Sequence, residues 1–429
     1  MQKVIEFSKT SKDHWITGRG WDQTDWTIQS KPTNVMLNIY FPDRPVFIKR
    51  VDGHAGLANA TALQLAGITP DTQVSGGEIE VVGGQLTGFV TDNAMNLIDE
   101  IIPEPSLESK IDALKKADKN CLKAGLTTVC DAGLPLSTIL LIDSLQKAGE
   151  LNIRVYAMAE PKEEGLNYFE ENGVLKTDKL QVSSFKIYAD GALGSRGAKL
   201  KAPYCDQEGY TGVWVTEPEE IDALCSRINA MNFQVNTHCI GDSANRKVLE
   251  IYGKYFEEGK DKRWRIEHAQ VVSPEDWQLF GKYKIIPSVQ PTHATSDMPW
   301  VDKRLCTDRV NGAYAYRSLC AAAGTVALGT DFPVEEINPL ATFYSAVYRM
   351  NADNQPLGGF LPNESLSAAQ TLMGMTQWAA YANFMDDRIG ALEAGKQADF
   401  VVLDMDIMNE KYVLNAEVLA TCIDGGEVN

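Results

Sequence analysis

The stretch "QVNTHCIGD" (234–242) is a β-branched run that ends on one imidazole, His238, and then turns through Gly241 and Asp242. A buried strand delivering a single polar side chain to a loop reads this way. The run "WRIEHAQ" (264–270) repeats the pattern and ends on His268. Working outward, five more short apolar runs have the same character: "LTTVCDAG" (126–133), "NIRVYAMA" (152–159), "SSFKIYADG" (183–191), "IIPSVQP" (285–291) and "VALGTDFP" (326–333). Helical patterns lie between several of them. "EPEEIDALCSRINAMN" (217–232) opens with acids and repeats apolar residues at helical spacing, and "SPEDWQLFGKY" (273–283) places Ser273 as a cap with Pro274 in the first turn. Strands alternating with helices build a parallel sheet, and seven such units in a row predict a (β/α) barrel.

Composition sets the outer limits. A chain of 429 residues, 44% hydrophobic, can bury a barrel-sized core. The formal net charge of −18 excludes the positive footprint that nucleic acid or an anionic membrane surface requires. No apolar run approaches the roughly 20 residues of a membrane span. Eight cysteines without a C-x-x-C pair or regular spacing predict neither a disulfide framework nor a zinc ribbon, and a reducing compartment is the default reading. "MQKVIEFSKT" (1–10) has no apolar segment of the secretory kind, so a cytoplasmic location is expected.

The ionisable residues then fall into place. His238, His268 and Asp331 each end a predicted strand, Lys186 lies in the strand before His238, and Asp190 follows it. In a barrel the carboxyl ends of the strands converge on one mouth. Two imidazoles and a carboxylate meeting there form a site for a divalent metal, with zinc the first choice by ligand type. The competing readings are a hydrogen-bonded core histidine, a lysine paired with an acid, and, for Asp331, a helix cap before "FPVEEINP" (332–339).

Eight segments in register carry a resemblance: "WITGRGWDQTDW" (15–26), "RPVFIKRVDGHAGLANATALQLAGI" (44–68), "KIYADGALGSRGA" (186–198), "HCIGD" (238–242), "RIEHAQVVSPED" (265–276), "SVQPTHATSDMPW" (288–300), "GTDFPVE" (329–335) and "DRIGALEAGKQADFVVLD" (387–404). Together they resemble the YtcJ-like amidohydrolases, the branch of the metal-dependent hydrolases that contains N-substituted formamide deformylase. The resemblance implies a distorted (β/α)8 barrel with a small β-sandwich. We divide the chain accordingly into an insert preceding the second barrel strand (1–110), the barrel (111–385) and a C-terminal sandwich segment (386–429). His238 and His268 then match metal ligands on the fifth and sixth strands. Asp331 matches the eighth-strand aspartate that touches the metal and takes a proton from the attacking water. Lys186 matches the position of a carboxylated, metal-bridging lysine. The implied reaction is hydrolysis of a small amide-type substrate at a carbon–nitrogen bond.

Other residues carry two readings each. His54 and Asn59 in "VDGHAGLAN" are pocket candidates by resemblance, or parts of a plain turn. His293, Asp297 and Trp300 in "PTHATSDMPW" form a substrate wall or simple packing. The glycines of "GALGSRG" (191–197) can cradle an anion, and Arg196 among them can pair with a substrate carboxylate or with a surface acid. Cys239 reads as a buried small hydrophobe. "SGGEIEVVGGQLTGFVTD" (75–92) reads as a hairpin. None of the five histidines forms a His-x-His pair, which the family carries on its first barrel strand. We therefore expect a barrel whose first strand is unaccounted for, a chain that begins inside a longer protein, at most one bound ion, and association into oligomers. The alternative function is a catalytically inactive, ligand-binding barrel.

Overall fold

The computed structural model describes residues 1–409 and 412–429. Three sheets organise it. A mixed N-terminal sheet contains β1 (Ile16–Trp21), β2 (Val46–Arg50), β3 (Ala55–Ala58), β4 (Gly77–Val82) and β5 (Gln85–Asp92), in the order β1-β2-β3-β5-β4. The central sheet contains β6 (Thr128–Leu134), β7 (Arg154–Ala159), β8 (Leu175–Lys176), β9 (Leu180–Tyr188), β10 (Gln234–Cys239), β11 (Arg265–His268), β12 (Ile286–Val289) and β13 (Ala327–Leu328). Apart from the short antiparallel β8, its strands are parallel and follow chain order, β6-β7-β9-β10-β11-β12-β13. A C-terminal antiparallel sheet contains β14 (Phe400–Leu403), β15 (Val418–Ile423) and β16 (Gly426–Glu427).

All seven predicted parallel strands form, and "SGGEIEVVGGQLTGFVTD" forms the β4–β5 hairpin. The parallel sheet curls into a half-barrel. Among the described residues β6 and β13 do not pair with each other, so both are edge strands. Residues 1–100 build a sheet with two small cores of their own, one around Phe47, Leu63 and Met95 and one around Ile16, Leu37 and Val46.

The strands read as continuous apolar runs because both faces are covered. On β10, Val235 and Cys239 enter the main core and Thr237 bonds the Tyr252 hydroxyl of the helix Asp242–Lys254 at 2.6 Å. Strand alternation leaves Gln234, Asn236 and His238 on the other, inner face. Register then sets Lys186 beside Asn236, and Tyr188 beside His238.

Several local expectations are corrected. Ser273 precedes the turn Pro274–Asp276 but makes no capping bond; its hydroxyl accepts from Lys201 Nζ at 2.8 Å instead. "PTHATSDMPW" begins as the helix Pro291–Asp297 because Pro291 fits the first helical turn. Asn59 is fully buried and fully engaged: it accepts from Val46 N and Ala62 N and donates to Phe41 O and Arg44 O, so it caps a helix. Cys205 and Cys306 form a disulfide across a Cα–Cα distance of 5.6 Å. They lie 101 residues apart in sequence, which is why spacing along the chain did not reveal the pair. The C-terminal sheet is held to the barrel by fully buried Arg154, which pairs with Asp399 at 2.6 Å and also with Asp424.

Candidate metal centre

Four of the five histidines meet at the carboxyl ends of the central strands. The ring centroids of His54 and His238 lie 4.9 Å apart, those of His238 and His268 4.6 Å, and those of His268 and His293 5.9 Å. The fifth, His14, is on the surface.

Each ring reaches the mouth by a different local device. His238 is the last inward residue of β10, and the loop after β9 secures that strand end. Asp190, fully buried, accepts hydrogen bonds from Ile240 N, Gly241 N and Lys199 N at 2.7–2.9 Å. His268 ends β11 with φ 73°, followed by Ala269 at φ 40°. These left-handed residues break the alternation that makes Ile266 a core residue, and they mark the strain that functional sites carry. His268 Nδ1 bonds Gln290 Oε1 at 2.7 Å, which leaves Nε2 for the mouth. His293 comes from the helix Pro291–Asp297. Asp331 lies beyond β13 at φ 56°, half-exposed, with Oδ2 3.8 Å from His293 Nε2. No helix follows Asp331 directly; the next begins at Pro339 behind the cap Asn338, so Asp331 is not a helix cap.

Donor atoms of His268, His293 and Asp331 all lie within 4.8 Å of one another. His238 Nε2 and His293 Nε2 are buried without a hydrogen-bond partner among the described residues. Burial holds His238 well below its usual range, helped by the neighbouring His268, His54 and Lys186. Burial also lowers His268, and it brings His293 to about 4. Neutral imidazoles with free nitrogens are the form that binds a metal, and a carboxylate beside them completes a donor set of the divalent kind. The residues fit such an ion.

Lys186 lies close enough to His238 and His268 for its charge to lower both. It is buried with Nζ 3.8 Å from the centre of the Tyr188 ring. His54 approaches from the N-terminal sheet, with Nδ1 2.8 Å from Asp92 Oδ1. Burial pulls its pKa down, but the bond to Asp92 and that carboxylate's charge outweigh it and the pKa ends raised. Sequence reasoning missed Asp92, whose only signal was an acid ending the hairpin. It placed His293 in the substrate wall and did not foresee its closeness to His268 and Asp331. In "GALGSRG", a Cβ at Gly191 or Gly197 would come within 2.5–2.7 Å of the Asp92 carboxylate, so these two glycines make room for the partner of His54. Arg196 takes the surface-acid reading, with a two-pronged pair to Asp206 at 2.9–3.0 Å. Trp300 is buried under Arg304 and takes the packing reading. Cys239 is a fully buried thiol, as expected.

A parallel (β/α) sheet with imidazoles and a carboxylate gathered at its strand ends has the architecture of a metal-dependent hydrolase. The sequence model of the amidohydrolase family matches residues 1–428, and the chain belongs to that family. It is 32% identical to protein LONG AFTER FAR-RED 3 of Arabidopsis thaliana, over 99% of this chain and 76% of that one. It is 31% identical to the putative amidohydrolase YtcJ of Bacillus subtilis (strain 168), over 92% and 75%. Among solved structures, an uncharacterized metal-dependent hydrolase from Pyrococcus horikoshii OT3 aligns with a TM-score of 0.78 at 28% identity, covering 96% of this chain and 81% of that chain. In the described residues no helix is long and apolar enough to cross a membrane.

Proposed function

We propose that this protein hydrolyses a carbon–nitrogen bond of a small, non-peptide amide-type substrate at a divalent metal, zinc by donor type. The observation that carries the reading is the convergence of His238, His268, His293 and Asp331, with Nε2 of His238 and of His293 buried and without a hydrogen-bond partner among the described residues. His268, His293 and Asp331 hold the ion, and His238 and Lys186 complete its surroundings. A bound divalent cation supplies Lewis acidity and a water of lowered pKa. Asp331, held at a strand end and open to the mouth, accepts the proton of the attacking water and returns it to the leaving nitrogen. His54, oriented by Asp92, lines the opposite wall and contacts the substrate. Arg196 is left out of the substrate contacts because Asp206 already occupies its guanidinium.

The test is metal analysis of the purified chain, followed by hydrolysis assays on N-substituted formamides and simple amides before and after chelation. Turnover that disappears with the metal and returns with zinc supports the reading. Metal-independent turnover, or no metal uptake, removes it. A second reading, a ligand-binding barrel without turnover, draws on the open seam between β6 and β13. Stoichiometric metal with no hydrolysis across the panel would favour it.

A further inference from the structure

We propose that the Cys205–Cys306 disulfide is a reversible thiol switch that sets how firmly two walls of the barrel mouth are held together. The bond joins the loop that follows β9 to the helix Val301–Arg309. Both cysteines are exposed, whereas Cys225, Cys239, Cys320 and Cys422 are buried thiols. The bridge is therefore open to small thiols in solution.

The two joined segments each support part of the candidate site. Within the loop, Asp190 secures the end of β10 below His238, and Gly191 and Gly197 close around Asp92, the partner of His54. The helix follows directly on the segment 291–300 that carries His293. Besides the core that Leu200, Tyr204, Val301 and Leu305 share, polar links join them: Arg304 pairs with Asp206 and donates to Gly194 O, Cys205 N donates to Arg304 O at 3.0 Å, and Arg309 donates to Ala202 O and Pro203 O. Cys306 sits inside the helix at φ 56° and ψ 158°, a left-handed residue where the helix breaks. Such a conformation persists only when its surroundings hold it, and the disulfide is the covalent part of that hold. Once opened, Cys306 is free to return to helical backbone, which shifts Arg304 and Arg309 against the loop.

The exchange balances with a dithiol as reductant. Its thiolate attacks one Sγ, the other cysteine leaves as a thiolate and takes a proton, and the second reductant thiol resolves the mixed disulfide. Two electrons and two protons pass to the cysteine pair, and the reductant becomes a disulfide. A small disulfide such as oxidised glutathione reverses the reaction.

The switch is independent of whether the site turns over, and its test needs no substrate. Iodoacetamide labelling of the denatured, unreduced chain should modify two fewer cysteines than labelling after reduction. On the native protein, trypsin should cut at Lys199, Lys201, Lys303, Arg304 and Arg309 several-fold faster after dithiothreitol, with the slower rate restored by oxidised glutathione. Cys306→Ser should show the fast pattern whatever the redox state. If that variant does not fold, wild type reduced and then alkylated under native conditions gives the same comparison. Full labelling without reductant, equal cleavage in both states, or a reductant response that survives in Cys306→Ser overturns the proposal.

Discussion

At the scale of single residues, the mouth is populated by groups whose ionisation burial has reset. Asp297 is the clearest case outside the candidate metal donors. Burial raises its carboxyl to about 8, although Tyr314 Oη donates to Oδ2 at 2.7 Å and Gln270 Nε2 at 3.2 Å. A folded-state pKa above the unfolded value means that the native state holds the extra proton. The stability this gives is complete below about 4 and is lost as pH rises through about 8. Asp297→Asn keeps the oxygen acceptor and cannot ionise. It should gain on the order of 1–4 kcal/mol over wild type near pH 8 and lose most of that advantage near pH 4, measured by urea denaturation at the two pH values. Equal stability of the two proteins at both values would show that Asp297 is ionised in the fold. For Asp331, an amide in place of the carboxylate cannot accept the water proton. Asp331→Asn should therefore lower turnover by roughly 10²–10⁴ while the histidines keep the metal. Near-normal turnover would take Asp331 out of the chemistry.

At the scale of elements, the β10 end is set by a residue of a different segment. Asp190 is the buried acceptor of three backbone N–H groups, so Asp190→Ala leaves three donors without partners. Each unsatisfied buried group costs about 1–3 kcal/mol, and partial hydration brings the expected total to about 3–5 kcal/mol. Chemical denaturation measures it, and a loss below about 1 kcal/mol would mean that the loop relaxes to find other acceptors. This element also shows what could be read from the sequence. The strands were legible because a parallel strand is apolar over its whole length, and His238, His268 and Asp331 were legible because they stand where such runs stop. Left-handed backbone at His268, the pairing of Asp92 with His54, and the use of glycines to admit Asp92 were not legible. Each depends on an approach between segments tens of residues apart. His293 shows the same limit: the strand reading of 285–291 hid the helix that Pro291 starts, and the closeness of His293 to Asp331 depends on the fold.

At the scale of the whole molecule, two features govern behaviour in solution. The parallel sheet ends in β6 and β13, and unpaired edges of this kind are templates for another strand. We expect concentration-dependent association in sizing chromatography, reduced when a lysine replaces exposed Ala132 on the β6 edge; a monomer at every concentration would show that the edges are already protected. The second feature is Arg154. Its guanidinium is fully buried and, among the described residues, is neutralised by Asp399, 245 residues later, and Asp424, 270 residues later. During synthesis β7 therefore leaves the ribosome carrying a cation that nothing yet made can balance. Burying it early would strand a charge, so this end of β7 must stay hydrated until the last sheet arrives. The C-terminal strands thus act as a completion signal, and the barrel base can dry out only on a chain that has been translated through Asp424.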